Sequence, residues 1–412
     1  MIINKNYTKL ITATFITRLG DSIDAIAFSW LVYIMTGSRT LMGGIFVMSV
    51  LPNLIILPFA GVFADIFNKK VLVVLSDFLR GSFVLVLAVF YFTGILEVWH
   101  LFAFVFINNV FESVANPSRG GMLQSVIDEE HYIKGNSYLS SASSFGSLVG
   151  LGIAGILIGV IGISGAIIID SVTFFVSAVL ISSISFVDKN GKVETEKQTV
   201  KMYFSMIKEG FSFLRGKGLL VSLLVLGAFI NLAFTPFNVL EPVYVDEVMN
   251  LGVEGLTYLG IALSLGMIVG GIVMGQLADK VKPINAIGVG LGMMGVMYLL
   301  LGLVDWFNLA FIPNIVVIVV FTFLFTFFLP VMQAPVSGTM MRIIPPHLIG
   351  RMMSTFSIFS LSAMPLGGLL VSIIGNSISV PVLYVSMGLF IVLISSLYWV
   401  VNRHKDFEKS VV

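Results

Sequence analysis

Apolar runs of roughly twenty residues recur along the whole chain, each long enough to cross a bilayer as a helix. In lipid every backbone polar group needs an internal partner, so spanning segments are helices or closed barrels. Barrel strands alternate apolar and polar positions over segments of about ten residues. Continuous stretches such as Ile312–Leu329 do not alternate. Only 11% of the 412 residues are charged and 57% are hydrophobic, against about 25% charged in a soluble domain. The chain has too little polar surface to face water on all sides. The fold class is therefore an all-α membrane protein, with the lipid bilayer as its first partner.

Twelve transmembrane helices are expected, near 9–35, 41–64, 70–92, 98–125, 134–160, 164–187, 218–241, 255–278, 284–304, 309–340, 350–375 and 379–402. Turn residues separate them, among them Gly37, Asn68, Gly94, Gly162 and Pro283. The first apolar segment contains Arg18, Asp21 and Asp24. A cleavable leader carries an uninterrupted apolar core, so this segment is expected to stay as the first helix. On this layout all of the 23 Lys and Arg except Arg18, Arg39 and Arg80 fall on the side of the N-terminus. Basic residues collect on the cytoplasmic side of membrane proteins, so both termini are expected in the cytoplasm of a multi-pass cell-membrane protein.

One long polar segment, 188–217, divides the spans six and six. The expected organisation is an N-terminal six-helix bundle over 1–187, a cytoplasmic linker over 188–217 and a C-terminal six-helix bundle with a short tail over 218–412. The halves echo each other. Gly61 and Asp65 recur as Gly275 and Asp279, both at an offset of 214, and a Lys follows in each copy. Such parallel repeats are a transporter plan.

These residues carry a resemblance to the major facilitator superfamily of secondary transporters over nearly the full chain. Its loop between helices 2 and 3 follows a Gly-x-x-x-Asp-Arg-x-Gly-Arg-Arg pattern, matched by Gly61, Asp65, Lys69 and Lys70. Ile66 stands for the first Arg and Asn68 for the Gly, a residue that tolerates a left-handed turn. Gly275, Asp279 and Lys280 match it in the second half. Leu19-Gly20-Asp21, Asp77-x-x-Arg80-Gly81 and Asn116-Pro117-Ser118-Arg119 look like the drug:proton antiporter branch that holds macrolide and enterobactin exporters. The antiporter pattern of helix 5 is present as Gly146…Gly150…Gly155, with Leu151 where Pro is usual. The resemblance implies the major facilitator fold and no enzymatic activity.

A charge at a helix centre costs about 2.5–3.5 kcal/mol on insertion scales, so each buried one needs a reason. Arg18, Asp21 and Asp24 repeat every three residues and share one helix face. Glu112 lies at a similar depth on the fourth span, and in the family's fold helices 1 and 4 line the central cavity. Arg18 is expected to pair with Glu112, and Asp21, Asp24 or Glu112 to carry a coupling proton. Asp77, Arg80 and Arg119 are expected to form a network with Asp65 on the cytoplasmic side. Gly61, Asp65, Lys69, Lys70, Gly275, Asp279 and Lys280 are expected to gate. Asp170 has no obvious partner in the sequence and reads as a structural hydrogen-bonding group.

The second half has almost no buried charge. Asn231, Phe234 and Asn238 on the seventh span, with Phe325 and Gln333 on the tenth, are candidates to line a cavity for a hydrophobic or amphipathic compound. The chain has no cysteine, and its lone histidines fit helix caps better than metal ligands. No nucleotide-binding loop is present, no cofactor is implied, and no nucleic-acid partner is expected. The reading is a proton-coupled exporter acting as a monomer by alternating access. The alternatives are an exporter of one metabolite, such as a siderophore, peptide antibiotic or lipid, or a channel or membrane sensor.

Overall fold

A computed structural model describes residues 4–66, 68–128, 131–185, 213–214, 217–277, 280–307, 310–345 and 348–402. Among these residues all regular secondary structure is helical. Eleven helices among the described residues are long and apolar enough to cross a membrane. One of them, Tyr132–Ser182, has 51 residues. At 1.5 Å per residue it would run about 77 Å, more than twice the hydrocarbon core. Gly162, at φ 75° and ψ 174°, breaks it. A residue with a Cβ is strained at this φ, so the sequence places Gly where one crossing turns into the next. The arms 132–161 and 163–182 are numbered α5 and α6.

The remaining helices are α1 (Lys5–Thr36), α2 (Arg39–Ile66), α3 (Lys69–Thr93), α4 (Val98–Val126), α7 (Gly218–Glu247), α8 (Val253–Leu277), α9 (Pro283–Leu303), α10 (Phe311–Ile343), α11 (Ile349–Ile374) and α12 (Val380–Asn402). Among the described residues this makes twelve long helices, the number that the apolar runs predict. The expected linker falls almost wholly outside the described residues, as do Asp279 and His347. Gly61 and Asp65 lie on α2, with side chains outside the described set.

Helix ends follow local chemistry. The Asn4 side chain accepts from the Tyr7 N–H at 2.8 Å and starts α1, and Gly37 ends it at φ 52°. Asn68 corrects the expectation of a left-handed turn. Its φ is −62°, and its side chain accepts from the N–H groups of Lys70 and Val71. It stands in the position of the family's Gly as a helix cap.

The chain forms two compact units, Met1–Gly37 with Met48–Tyr203 and Ser38–Val47 with Phe204–Val412. In the first unit, Tyr7, Leu10, Val73, Met122, Ile181 and Ile184 join α1, α3, α4 and α6 in one buried cluster. Other apolar side chains face outward, such as Val71, Phe78, Phe92 and Val179, as a lipid-facing surface demands. α1 meets α6 at Gly20, where a Cβ would overlap Thr173 Oγ1 and lie 2.5 Å from Asp170 Oδ1. Gly20→Ala is expected to lower stability by about 1–3 kcal/mol through this overlap, measured as a reduced midpoint of thermal aggregation in detergent. An unchanged midpoint would show that α1 and α6 separate freely there.

In the second unit, α8 and α10 approach so closely at Gly270 that a Cβ would collide with the Phe327 carbonyl. Small residues replace hydrophobic exclusion as the basis of such packing in lipid. Phe234, Phe237, Tyr298, Phe325 and Tyr384 form a continuous aromatic core, with Phe234 stacked on Phe325 at 5.1 Å. The first residues of α2 belong here too: Arg39 donates to both carboxylate oxygens of Glu247 at 2.6 Å and to the carbonyls of Gly375 and Ile378.

Candidate functional site

The charged residues of α1, α3 and α4 converge in the middle of the first unit. Arg80 is the hub. Its guanidinium donates to Asp21 Oδ1 at 3.0 Å and to Asn108 Oδ1 at 3.0 Å, lies 3.6 Å from Glu112 Oε2, and sits 4.2 Å above the Phe174 ring. Its side chain is 6% exposed. Arg18 completes the ring more loosely, 3.4 Å from Asp21 Oδ2 and 3.7 Å from Glu112 Oε1. Asn116 bridges the two, accepting from Arg18 and donating to Glu112, each at 3.4 Å.

The positions of Asp77 and Arg80 correct the expectation of a single network. They are three residues apart on α3, which separates them by about 4.5 Å along the axis and 60° around it. Arg80 turns toward α1 and α4. Asp77 is fully buried, ion-paired with Arg119 and accepting from Ser177 Oγ at 2.7 Å, while Arg119 also donates to Thr17 at 2.9 Å. The two pairs therefore sit on adjacent levels, with Asp77–Arg119 nearer the N-terminal side.

Beside this cluster Asp24 and Asp170 have no guanidinium within ion-pair distance among the described residues. Asp170 accepts from Thr173 Oγ1 at 3.3 Å. Asp24 Oδ1 is buried without a hydrogen-bond partner among the described residues. It borders a cavity of about 40 Å³ lined mainly by Phe28, Phe83, Leu87, Phe104 and Asn108, room enough for a water molecule. An ionised carboxylate is costly in such a setting and a neutral acid much less so.

The residues expected to gate are dispersed in the described structure. Lys69 is buried with its stem against Gly121, and Lys70 Nζ donates to the Ile184 carbonyl at 2.9 Å. Gly275 has open space around it and Lys280 is exposed.

The second unit holds a cavity of about 580 Å³ between α7, α10 and α11. Asn231, Phe234, Asn238 and Gln333 line it with Met332, Met340 and Met364. Phe325 does not: it is fully buried behind Phe234 in the aromatic core. Aromatic, thioether and amide groups around a roomy space suit an amphipathic guest.

Twelve crossings, a charged core in one unit and a polar-apolar cavity in the other frame the comparison with known proteins. The family model described as Major Facilitator Superfamily matches residues 10–367. The chain belongs to this superfamily. It is thus a membrane transporter, and its bacterial relatives place it as a multi-pass plasma-membrane protein. It is 26% identical to the MFS-type transporter YkuC of Bacillus subtilis (strain 168), over 96% of this chain and 92% of that protein. It is 23% identical to Macrolide efflux protein A of Streptococcus pyogenes, over 90% of each. Among solved structures, nucleoside transporter NupG superposes with a TM-score of 0.79 at 10% identity, over 98% of this chain and 100% of that one. The D-xylose-proton symporter gives 0.72 at 13% identity, over 95% and 97%. These structures share the fold of the superfamily.

Sequence reasoning missed several members of this charged cluster. Asn108 and Asn116 are neutral, so no insertion cost singled them out. Phe174 was one of 35 Phe residues. The seventh span also runs longer than expected, because α7 continues to Glu247.

Proposed function

We propose that the protein is a proton-coupled exporter of hydrophobic or amphipathic compounds, working by alternating access with both termini in the cytoplasm. The observation that carries the reading is the imbalance of the buried cluster. Two guanidiniums, Arg18 and Arg80, face Asp21 and Glu112, while Asp24 and Asp170 add two further carboxyl groups. A membrane-embedded cluster of this kind holds its surplus acids as proton carriers more cheaply than as anions. The coupling proton is assigned to Asp24 or Asp21, with Glu112 as their electrostatic neighbour. The cavity of the second unit supplies amide and aromatic surface for the substrate. The relation to a macrolide efflux protein supports an amphipathic cargo and the outward direction.

The functional unit is a monomer with domains 1–187 and 218–412, and Asp65 and Asp279 belong to its gates. The test is transport in inverted membrane vesicles under an imposed pH gradient, against a panel of apolar and amphipathic compounds. Several structurally different compounds are expected to accumulate, and collapse of the gradient by an ionophore should stop them. Accumulation of one compound alone would favour a dedicated metabolite exporter. No gradient-dependent movement of any compound would defeat the proposal.

A further inference from the structure

A groove of about 630 Å³ runs between α3 and α6 on the outside of the first unit. Val71, Val74, Leu75 and Phe78 of α3 line it with Phe175 and Val179 of α6. Lys70 and Ser182 stand at one end. The rings of Phe78 and Phe175 close the other, edge to face with centroids 5.6 Å apart. Val71, Leu75, Phe78 and Val179 are all exposed, so the groove opens toward the bilayer. From Lys70 to Phe78 the helix advances about 12 Å. That is most of the hydrocarbon depth of one leaflet, about 15 Å.

Two ammonium groups are held at the polar end. Lys70 Nζ donates to the Ile184 carbonyl at 2.9 Å, and Lys9 Nζ, from α1, donates to the adjacent Ser183 carbonyl at 2.6 Å. These carbonyls follow directly on α6, where the helix dipole is negative and attracts cations. A carbonyl is neutral, so the pair keeps its full positive charge. An ammonium has three donors, and each of these uses one on its carbonyl. Among the described residues no carboxylate lies within ion-pair distance of Lys9 or Lys70. Two neighbouring cations with donors to spare and no counter-ion suit an anion. A soluble anion would leave the apolar walls of the groove unused. A helix from a second copy would cross both leaflets, whereas the groove ends at Phe78 and Phe175 after one.

We infer that this groove is a binding site for one anionic phospholipid, with its phosphate on Lys9 and Lys70 and an acyl chain between α3 and α6. Basic pockets between membrane helices take anionic headgroups in this way. The phosphate ties α1, α3 and the end of α6 together through one ligand. A ligand that binds only the folded chain stabilises it, so the lipid acts as a staple for this end of the first unit. The inference is independent of the efflux reading. It names a resident partner rather than a cargo, and it holds whatever compound the protein moves.

Palmitoyl-oleoyl phosphatidylglycerol is titrated onto the delipidated full chain in a neutral detergent, and bound lipid is counted by native mass spectrometry. Phosphatidylcholine with the same chains and chain-free glycerophosphoglycerol are the comparisons. One phosphatidylglycerol per chain is expected, bound about tenfold more tightly than phosphatidylcholine. Lys9→Gln with Lys70→Gln should weaken it by about fivefold for each lysine, and arginine at both positions should retain it. Leu75→Trp fills the groove and should displace the lipid with both lysines still in place. Equal binding of the two lipids would overturn the inference, as would undiminished phosphatidylglycerol binding by the double Gln variant. Loss of the lipid from the double Arg variant as well would assign the lysines to the shape of the helix ends and overturn it. Glycerophosphoglycerol bound as tightly as the lipid, and untouched by Leu75→Trp, would leave an anion site without a chain groove. A dimer that persists under saturating phosphatidylglycerol and is broken by Leu75→Trp would give the groove to a second copy instead.

Discussion

Replacing Arg80 with Met is expected to destabilise the first unit by about 3–5 kcal/mol, the cost of removing one partner from a buried ion pair. The variant should accumulate poorly in the membrane and melt well below the parent in detergent. The reason is the number of groups that share one guanidinium. Arg80 serves Asp21, Glu112 and Asn108 together, with its side chain 6% exposed. Once it is gone, Asp21 and Glu112 retain only Arg18, at 3.4 and 3.7 Å. Arg18 is 34% exposed, so solvent weakens its hold. Arg18→Met should therefore cost much less, of the order of 1 kcal/mol. Arg80→Lys should fall between, because an ammonium cannot reproduce the guanidinium fork that reaches three oxygens at once. Adding Asp21→Asn and Glu112→Gln to Arg80→Met removes the stranded charges, and should recover most of the stability without restoring transport. Thermal stability followed by fluorescence-detected size exclusion ranks these variants. Equal stability of Arg80→Met and Arg18→Met would disprove the hub assignment.

The first steps of this structure were legible because each rests on a large energy. The apolar runs exposed the crossings, and Gly162 marked the turn between α5 and α6, although the helix geometry on either side continues so closely that the two arms form one run. The charges of α1 stood out for the same reason: each is expensive in lipid. Their partners were harder to read, because partner choice depends on helix azimuth and level. Asp77 and Arg80 share a motif and a helix, yet 60° of rotation sends them to different neighbours. Phe325 and Phe234 are alike in composition, and only the packing of α7 against α10 decides which one borders the cavity. The end of α7 escaped notice through a boundary error. A span drawn to end at 241 stops short, while Pro242 does not in fact stop the helix. In the apolar VLEPVYV stretch, packing of Val243, Tyr244 and Val245 into the core outweighs the lost backbone bond.

Asp24→Asn is expected to leave the fold intact and to cut gradient-driven accumulation of substrate at least about tenfold. The four carboxyl groups in and beside the Arg18–Arg80 cluster differ in how firmly each is held. Asp21 and Glu112 are fixed by two guanidiniums. Asp170 is fixed by Thr173 and by the close passage of Gly20. Asp24 alone combines a buried, unpartnered oxygen with a cavity that admits water, so a proton reaches and leaves it with the least rearrangement. Asparagine copies the shape of the neutral acid and removes the exchangeable proton. Substrate exchange without a gradient should persist in this variant, since alternating access needs no net proton movement. Asp21→Asn is expected to behave differently, because it also removes the negative charge that pairs with Arg80 at 3.0 Å and should lower stability as well as coupling. The measurement is paired counterflow and pH-driven uptake in inverted vesicles for the two variants. Loss of accumulation with retained counterflow in Asp24→Asn places the proton there. Full pH-driven uptake in both variants would remove α1 from coupling and leave it to Glu112 on α4 or Asp170 on α6.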